Sequence, residues 1–358
     1  MSDDEGMESV FDGGERGAPA RFGLDLGASE TRLTLPDGSA SWGYRTVSVP
    51  TLLSYSRQEA EPVRFSCIGE KAIARRDHMR LVHPFRSGLE GRALILRDFA
   101  HHLREIFERR GEPAPWGVVN CSAAASEDEK AMKRAVANEL FERVLFVDDT
   151  FLLAVGLASQ EMAKHSIILD IGSTSIRAAL MHGETPSPDE RVEVPSGGAR
   201  VDEALRRSLS LRYPELLVTS WTLSKLKEEL AFVAPVRRRC VLRIEFRGKV
   251  KAVDITDIVE EASASSVRPV LKAAREILAA CPSDEVEAFQ SNILLAGGGA
   301  EMPGIVERVE NELRADGFEL ARVRKPDRPR LLVAEGAFRW AQLLRQDQWS
   351  IPLFSFAG

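Results

Sequence analysis

One pattern occurs twice in this chain, and it constrains the fold more than any other feature. Residues 22–35 (FGLDLGASETRLTL) and 167–181 (IILDIGSTSIRAALM) each read as an apolar strand carrying Asp-x-Gly at its end, a turn of small and hydroxyl residues, and an alternating second strand. Asp25 and Asp170 occupy equivalent places in the two copies. Period-two alternation interrupted by Gly and small polar residues is the mark of a β-hairpin. Two halves that open on the same hairpin predict a duplicated α/β architecture with one site between the halves.

The sequence between the hairpins supplies the remaining elements. Residues 94–110 carry Leu96, Phe99, Leu103, Ile106 and Phe107 at helical spacing, and 116–121 read as a short buried strand. Ser126 before Glu127, Asp128 and Glu129 caps a helix running to about residue 141, with a strand at 144–147 and a helix over 149–164 after it. In the second half, 201–211, 223–231 and 258–280 are helical by periodicity, and 241–254 form an antiparallel pair turning at Arg247-Gly248-Lys249. A strand over 292–296 leads into Gly297-Gly298-Gly299, then a helix over 303–314 with Pro in its first turn and a last helix over 333–344.

Composition narrows the class. The chain has 358 residues, a length that suggests two or three domains, and its 48 basic against 54 acidic residues give a net charge of −6. Such a surface has no global positive field for a polyanion, so no nucleic-acid partner is expected. Residues 1–20 are acidic and Gly-rich and read as a disordered tail without a signal sequence. No apolar run reaches the ~18 residues that span a bilayer, and Cys67, Cys121, Cys240 and Cys281 are widely spaced. A cytoplasmic chain with reduced thiols is expected, with no zinc site. His101-His102 with Glu105 lacks the spacing that puts two imidazoles on one helical face, and reads as the surface of an amphipathic helix.

Three Gly or small-residue turns, each after a buried strand, can bring backbone N–H groups against phosphate oxygens with no Cβ in the way. An Asp at each strand end can hold a hydrated Mg²⁺ through water while the turns cradle phosphates. No GxxxxGK[ST] loop is present.

These turns carry a resemblance. LDLGASETRL resembles the phosphate 1 motif, LDIGSTSIRAAL the phosphate 2 motif and LLAGGGAEMPGI the adenosine motif of the actin-like ATPases, the superfamily of actin, the seventy-kilodalton heat-shock chaperones and the sugar kinases. Between the motifs, CIGEKAIARRDHMRLVHPFRSGLE, VDDTFLLAVGL, GGARVDEALRRSLSLRYPEL and LSKLKEELAFV are similar to segments of the bacterial MreB and MamK filament proteins, from residue 21 to 349. The resemblance implies an α/β, duplicated actin-like (ribonuclease H-like) two-lobe fold with a nucleotide cleft between lobes. Lobe I would span 21–165 (small subdomain about 46–95), completed by a C-terminal helix at 331–349. Lobe II would span 166–330 (small subdomain about 196–265).

Carried over residue by residue, the resemblance implies ATP or ADP with Mg²⁺ as cofactors. Asp25, Gly27, Ala28, Ser29 and Thr31 would form the first phosphate loop, and Asp170, Gly172, Ser173 and Thr174 the second, with Asp25 and Asp170 holding Mg²⁺ through water. Lys227 and Glu228 would meet purine and ribose, with Asp202 near the ribose. Gly298, Gly299, Ala300 and Met302 would line the other side of the base. Asp128, with Glu129 beside it, falls where the family keeps the acid that orients the attacking water; the same acids also suit a helix N-terminus.

Two departures from the family pattern matter. Ser173-Thr174-Ser175 stands where relatives keep a Gly, and Glu30 brings a negative charge to the first loop. Both are expected to weaken ATP binding or slow hydrolysis. The leading functional expectation is an actin-like cytoskeletal ATPase that assembles head to tail with itself. The alternative is a non-polymerising relative whose nucleotide state gates one protein partner. A sugar kinase would need an acceptor-site insertion, and a chaperone a following substrate domain. The tail at 350–358, with Trp349 ahead of it, is apolar and expected to dock in a protein groove in preference to a membrane, since no basic residues accompany it.

Overall fold

The computed structural model describes residues 19–40, 43–56, 65–76, 78–85, 89–106, 114–157, 165–183, 185–216, 218–246 and 249–350. Most of the acidic tail and all of residues 351–358 lie outside them, as do the ends of the helices expected to reach 110 and 164.

Each half of the chain builds a five-stranded mixed sheet with one and the same topology. The first uses β1 (Arg21–Leu26), β2 (Glu30–Pro36), β3 (Tyr44–Pro50), β7 (Trp116–Asn120) and β8 (Arg143–Val147) in the order β3-β2-β1-β7-β8. The second uses β9 (Ser166–Ile171), β10 (Ile176–Met181), β11 (Arg191–Val194), β14 (Ile293–Ala296) and β15 (Val323–Arg324) in the order β11-β10-β9-β14-β15. In both sheets the first three strands in sequence pair antiparallel and the later two join in parallel. The duplication read from the hairpins therefore extends to the whole sheet.

Smaller units complete each half. In the first, β4 (Leu53–Ser56), β5 (Phe65–Ile68) and β6 (Met79–Val82) form a three-stranded sheet beside helix α1 (Gly69–Ala74). Helices α2 (Arg92–Arg104) and α3 (Glu127–Leu140) cover the main sheet, and the Ser126 hydroxyl accepts the Glu129 N–H at 3.2 Å as the expected cap. In the second, α5 (Gly198–Arg212), α6 (Ser220–Leu230), the pair β12 (Val241–Phe246) and β13 (Lys249–Asp254), and α7 (Thr256–Ala264) share one apolar core around Leu205, Leu223 and Phe232. Helices α8 (Val267–Ala280), α9 (Val286–Gln290) and α10 (Ile305–Ala315) pack on the second main sheet.

The single helix expected over 258–280 is two. Pro269 has no N–H to give the Ser265 carbonyl, and its ring would clash with it, so the helix cannot run through. The Ser265 and Ser266 hydroxyls instead turn back onto the Ala262 and Ser263 carbonyls at 2.6 and 2.7 Å.

Two helices join the halves. Helix α4 (Asp149–Leu157) leaves the first half and packs on β9 and β10, while the last helix, α11 (Leu332–Leu343), returns to cover β1, β2 and β7. They cross without side chains between them: a Cβ on Gly336 would lie 1.9 Å from the Leu152 carbonyl oxygen, and one on Gly156 2.5 Å from that of Leu332. Around this crossing Trp116 and Val118 of the first sheet share one core with Ile168, Ala179 and Leu294 of the second. Gly23 makes the matching approach on β1, where a Cβ would stand 2.2 Å from the Phe338 nitrogen. Trp349, which stands ahead of the apolar tail, is buried in this core with its ring 5.2 Å from that of Trp116.

Candidate functional site

Both Asp-x-Gly turns come to the same opening between the halves. The Ser29 hydroxyl of the first loop donates to the Ser173 hydroxyl of the second at 2.7 Å. The Gly297-Gly298-Gly299 turn closes over the second loop: Gly297 has φ +78°, and a Cβ there would stand 2.4 Å from Asp170 Oδ1. Only Gly tolerates both the left-handed backbone and the approach. Gly298 faces open space, with nothing within 4 Å of where its Cβ would be. Three separate sequence motifs thus share one cleft.

The second loop is pinned by a helix. Gly198 and Ala199, at the start of α5, donate their N–H groups to the Gly172 and Ser173 carbonyls at 3.0 and 2.8 Å. Donors that a helix N-terminus leaves free are thereby spent on loop geometry. Lys227 of α6 reaches the same corner, donating to Asp202 Oδ2 at 2.8 Å and to the Gly198 carbonyl at 3.2 Å. Glu228 turns away to pair with Lys225 at 3.3 Å, Ala300 is buried in the second-half core, and Met302 is half-buried between that core and the α5–α6 unit. The first loop is braced from behind. Thr31 is buried and shares a hydrogen bond with Thr51 at 3.0 Å, and the Thr51 hydroxyl also lies 3.0 Å from the Gly27 carbonyl, which accepts from it. Thr31 therefore backs the loop, while Ser29 and Thr174 are exposed in the opening and Ala28 is half-buried.

The floor of the cleft is ionic and largely buried. Asp25 accepts from Arg32 Nη1 at 3.0 Å, and the other arm of Arg32 pairs with Glu30, so the charge that Glu30 brings is neutralised on its own strand. In the second half Arg177 Nη1 lies 2.9 Å from Asp149 and 3.7 Å from Asp170, with its Nε 3.4 Å from Glu193. Asn120, at the end of β7, joins the two halves of the floor: its side-chain Oδ1 accepts the Leu26 N–H at 2.6 Å and its side-chain amide Nδ2 donates to Asp149 at 2.8 Å, its main-chain carbonyl staying free for Lys133. Lys133, buried on α3, donates to the Asn120 carbonyl at 3.3 Å and pairs with Glu129 at 3.6 Å. Burial drives the Asp170 carboxyl up to about 6 despite Arg177, with Asp149 and Asp25 adding to the rise. Burial raises Asp25 as well, against the pull of Arg32.

The two acids at the start of α3 diverge. Asp128 pairs with Arg92 of α2, whereas Glu129, through Lys133, leans to the cleft floor. Sequence reasoning missed Arg32, Arg177, Asn120, Lys133 and Asp149. The arginines had a signal: each follows its Asp by seven residues, the spacing that puts partners opposite in a hairpin of this length.

The cleft offers backbone and Gly surfaces suited to phosphates and a flat base, but the expected Mg²⁺ donor pair is not presented as two free carboxylates. Asp25 and Asp170 each face an arginine, and among the described residues no cluster of three or more His, Cys, Asp or Glu side chains is placed to hold a metal ion. A cation held there as the resemblance implies would reach Asp25 and Asp170 through water and share them with Arg32 and Arg177.

The free-standing geometry agrees with known proteins. A MamK-like protein from Paramagnetospirillum magneticum is 26% identical over 337 residues, covering 91% of this chain and 96% of its own. The actin-like protein MamK of the same organism is 27% identical over 336 residues, covering 92% and 94%. Among solved structures, a MamK double helical filament superposes with TM-score 0.79 at 23% identity over 92% of this chain and all of that one. MreB5 of Spiroplasma citri bound to AMPPNP gives 0.70 at 18% identity, over 89% of this chain and 94% of that one. The expected two-lobe actin-like fold is therefore the fold of this chain. The MreB/Mbl protein family model matches residues 20–348, and the chain belongs to the MreB/Mbl family.

Proposed function

We propose that this protein binds ATP and ADP between the loops at 27–29 and 172–174, hydrolyses ATP slowly, and assembles head to tail into cytoplasmic filaments. The observation that carries the reading is the convergence of both Asp-x-Gly loops and the triple-Gly turn on one opening. The loops would hold the phosphates, Lys227 and Asp202 the ribose side, and the open face of Gly298 the base. Glu129 is the better placed of the two α3 acids to polarise water, because its partner Lys133 reaches the floor while Asp128 is held by Arg92.

Filament assembly is supported by family membership and by the relative solved as a double helical filament. A head-to-tail contact is heterologous, and one that does not close propagates. Calorimetric titration with ATP and ADP tests the site, and sedimentation with negative-stain microscopy tests assembly. No binding of either nucleotide at millimolar concentration would remove the proposed site.

The Ser29–Ser173 bond favours a second reading, a non-polymerising switch. Loops already joined leave less differential affinity for nucleotide to transmit to a polymer contact. Light scattering that stays at monomer size in ATP, ADP and a non-hydrolysable analogue would select it.

A further inference from the structure

Helix α3 turns Met132, Val136, Ala137 and Leu140 into the core of the first half, and one lysine goes in with them. Lys133 is 4% exposed, at a position where an apolar side chain would be buried with no charge to desolvate. A lysine there has to give its ammonium to partners, and it has two. Nζ lies 3.3 Å from the main-chain carbonyl oxygen of Asn120 and 3.6 Å from Glu129 Oε1, one turn back along the helix. Glu four positions ahead of Lys is the favourable order for such a pair.

The field around the pair runs against Glu129. Six acids, Asp25, Glu30, Glu129, Asp149, Asp170 and Glu193, share three bases, Arg32, Arg177 and Lys133. A floor richer in acid than in base pushes a carboxylate toward solvent, and Glu129, with its side chain 38% exposed, has solvent to retreat into. Arg32 is taken by Asp25 and Glu30, and Arg177 by Asp149, Asp170 and Glu193. Among the described residues Lys133 is the base paired with Glu129. Its anchor is firm, since the Asn120 side chain is itself tied to the Leu26 N–H and to Asp149.

We propose that Lys133 is a positioning residue for ATP hydrolysis: its ammonium, fixed on the Asn120 carbonyl, holds the Glu129 carboxylate at the cleft floor in the orientation that polarises the attacking water. This rests on the reading of Glu129 above and supplies the force that keeps a partly exposed acid in place. In this role Lys133 acts through Glu129 and not on the nucleotide.

The test measures steady-state phosphate release and calorimetric affinity for ATP on the full chain, for the wild type, Lys133→Met, Lys133→Arg, Glu129→Gln and the Lys133→Met/Glu129→Gln double variant. Methionine keeps the unbranched apolar stem and suits a buried site, and thermal unfolding verifies that each variant is folded. Lys133→Met should lower turnover about tenfold with ATP affinity within about threefold of the wild type, and Lys133→Arg, which keeps the charge, should recover part of the loss. In the Glu129→Gln background the same methionine should change turnover by less than about twofold, because its effect passes through the carboxylate. A lysine that only supports the helix would cost the same factor in both backgrounds. Equal losses in the two backgrounds, or wild-type turnover in Lys133→Met, overturn the proposal and leave the role of Glu129 standing. Glu129→Gln that turns over like the wild type, or a wild type without turnover, removes the reading of Glu129 itself, and the role of Lys133 with it.

Discussion

Ser29 and Ser173, 144 positions apart in sequence, share a 2.7 Å hydrogen bond across the opening between the lobes. A phosphate group lodged between the two loops has to replace that bond. A net hydrogen bond of this exposure contributes about 1 kcal/mol, so removing it lowers the cost of entry by about fivefold in affinity. Ser173→Gly, which also frees the loop backbone, should bind ATP tighter than the wild type by that factor in a fluorescent-nucleotide titration. Weaker binding would show instead that the Ser173 hydroxyl contacts phosphate.

The two acids of α3 should separate cleanly in turnover. Glu129→Gln is expected to lower steady-state phosphate release by about tenfold or more at unchanged nucleotide affinity, the pattern of an acid that acts on water and not on the bound ground state. Asp128→Asn removes a half-exposed pair with Arg92 and should leave both within about twofold. The reverse ranking would return the role to Asp128.

The crossing of α4 and α11 should be intolerant of a single methyl group. A Cβ at position 336 meets the Leu152 carbonyl at 1.9 Å and the Gly156 nitrogen at 2.9 Å, both backbone atoms that cannot step aside. Gly336→Ala should therefore cost about 3 kcal/mol or more in urea unfolding. Gly38→Ala, with nothing within 4 Å of its Cβ, is the control and should stay within about 0.5 kcal/mol.

Stability should rise on mild acidification. Asp170 is held up from 3.8 to about 6 in the folded protein, so between those values the folded state binds more protons than the unfolded one and stability falls as pH rises. At about 1.4 kcal/mol per unit, the carboxyl costs on the order of 3 kcal/mol at neutral pH, and Asp25 acts in the same direction. Acids held below their ordinary value, such as Asp254 at about 2 through its Thr256 bonds, act in the opposite sense and in a lower window, between about 2 and 4. The urea midpoint should be higher at pH 5 than at pH 7. Asp170→Asn should flatten that slope; an unchanged slope would exclude Asp170 as its source.

Local chemistry made much of this fold readable. The hairpins announce themselves because a strand, an Asp-x-Gly and a small-residue turn are contiguous, and Ser126 declares its helix because a cap and the N–H it accepts from are three residues apart. The Pro269 break was readable by the same local logic, although apolar periodicity runs straight through it. The ionic floor was less accessible. Asn120, Lys133 and Asp149 come from three different elements, and only the placement of β7 beside β1, with α3 and α4 around it, brings them to Asp25 and Arg177. Lone aromatics such as Trp349 carry no periodicity, so their burial depends on a core assembled from both ends of the chain.

That core has a consequence for how the molecule is made. The outer face of β1 is closed by the last helix: Gly23 meets Phe338, and the Arg21 guanidinium donates to the Ala341, Gln342 and Leu344 carbonyls at 2.9 to 3.1 Å. A strand that leaves the ribosome among the first elements must wait for a helix that leaves among the last, an interval on the order of half a minute at common elongation rates. The second sheet shares part of this dependence, because Ile168, Ala179 and Leu294 lie in one core with Leu332 and Ala337 of the same helix. The sheet of the N-terminal lobe, begun earlier, therefore closes only once α11 has been made.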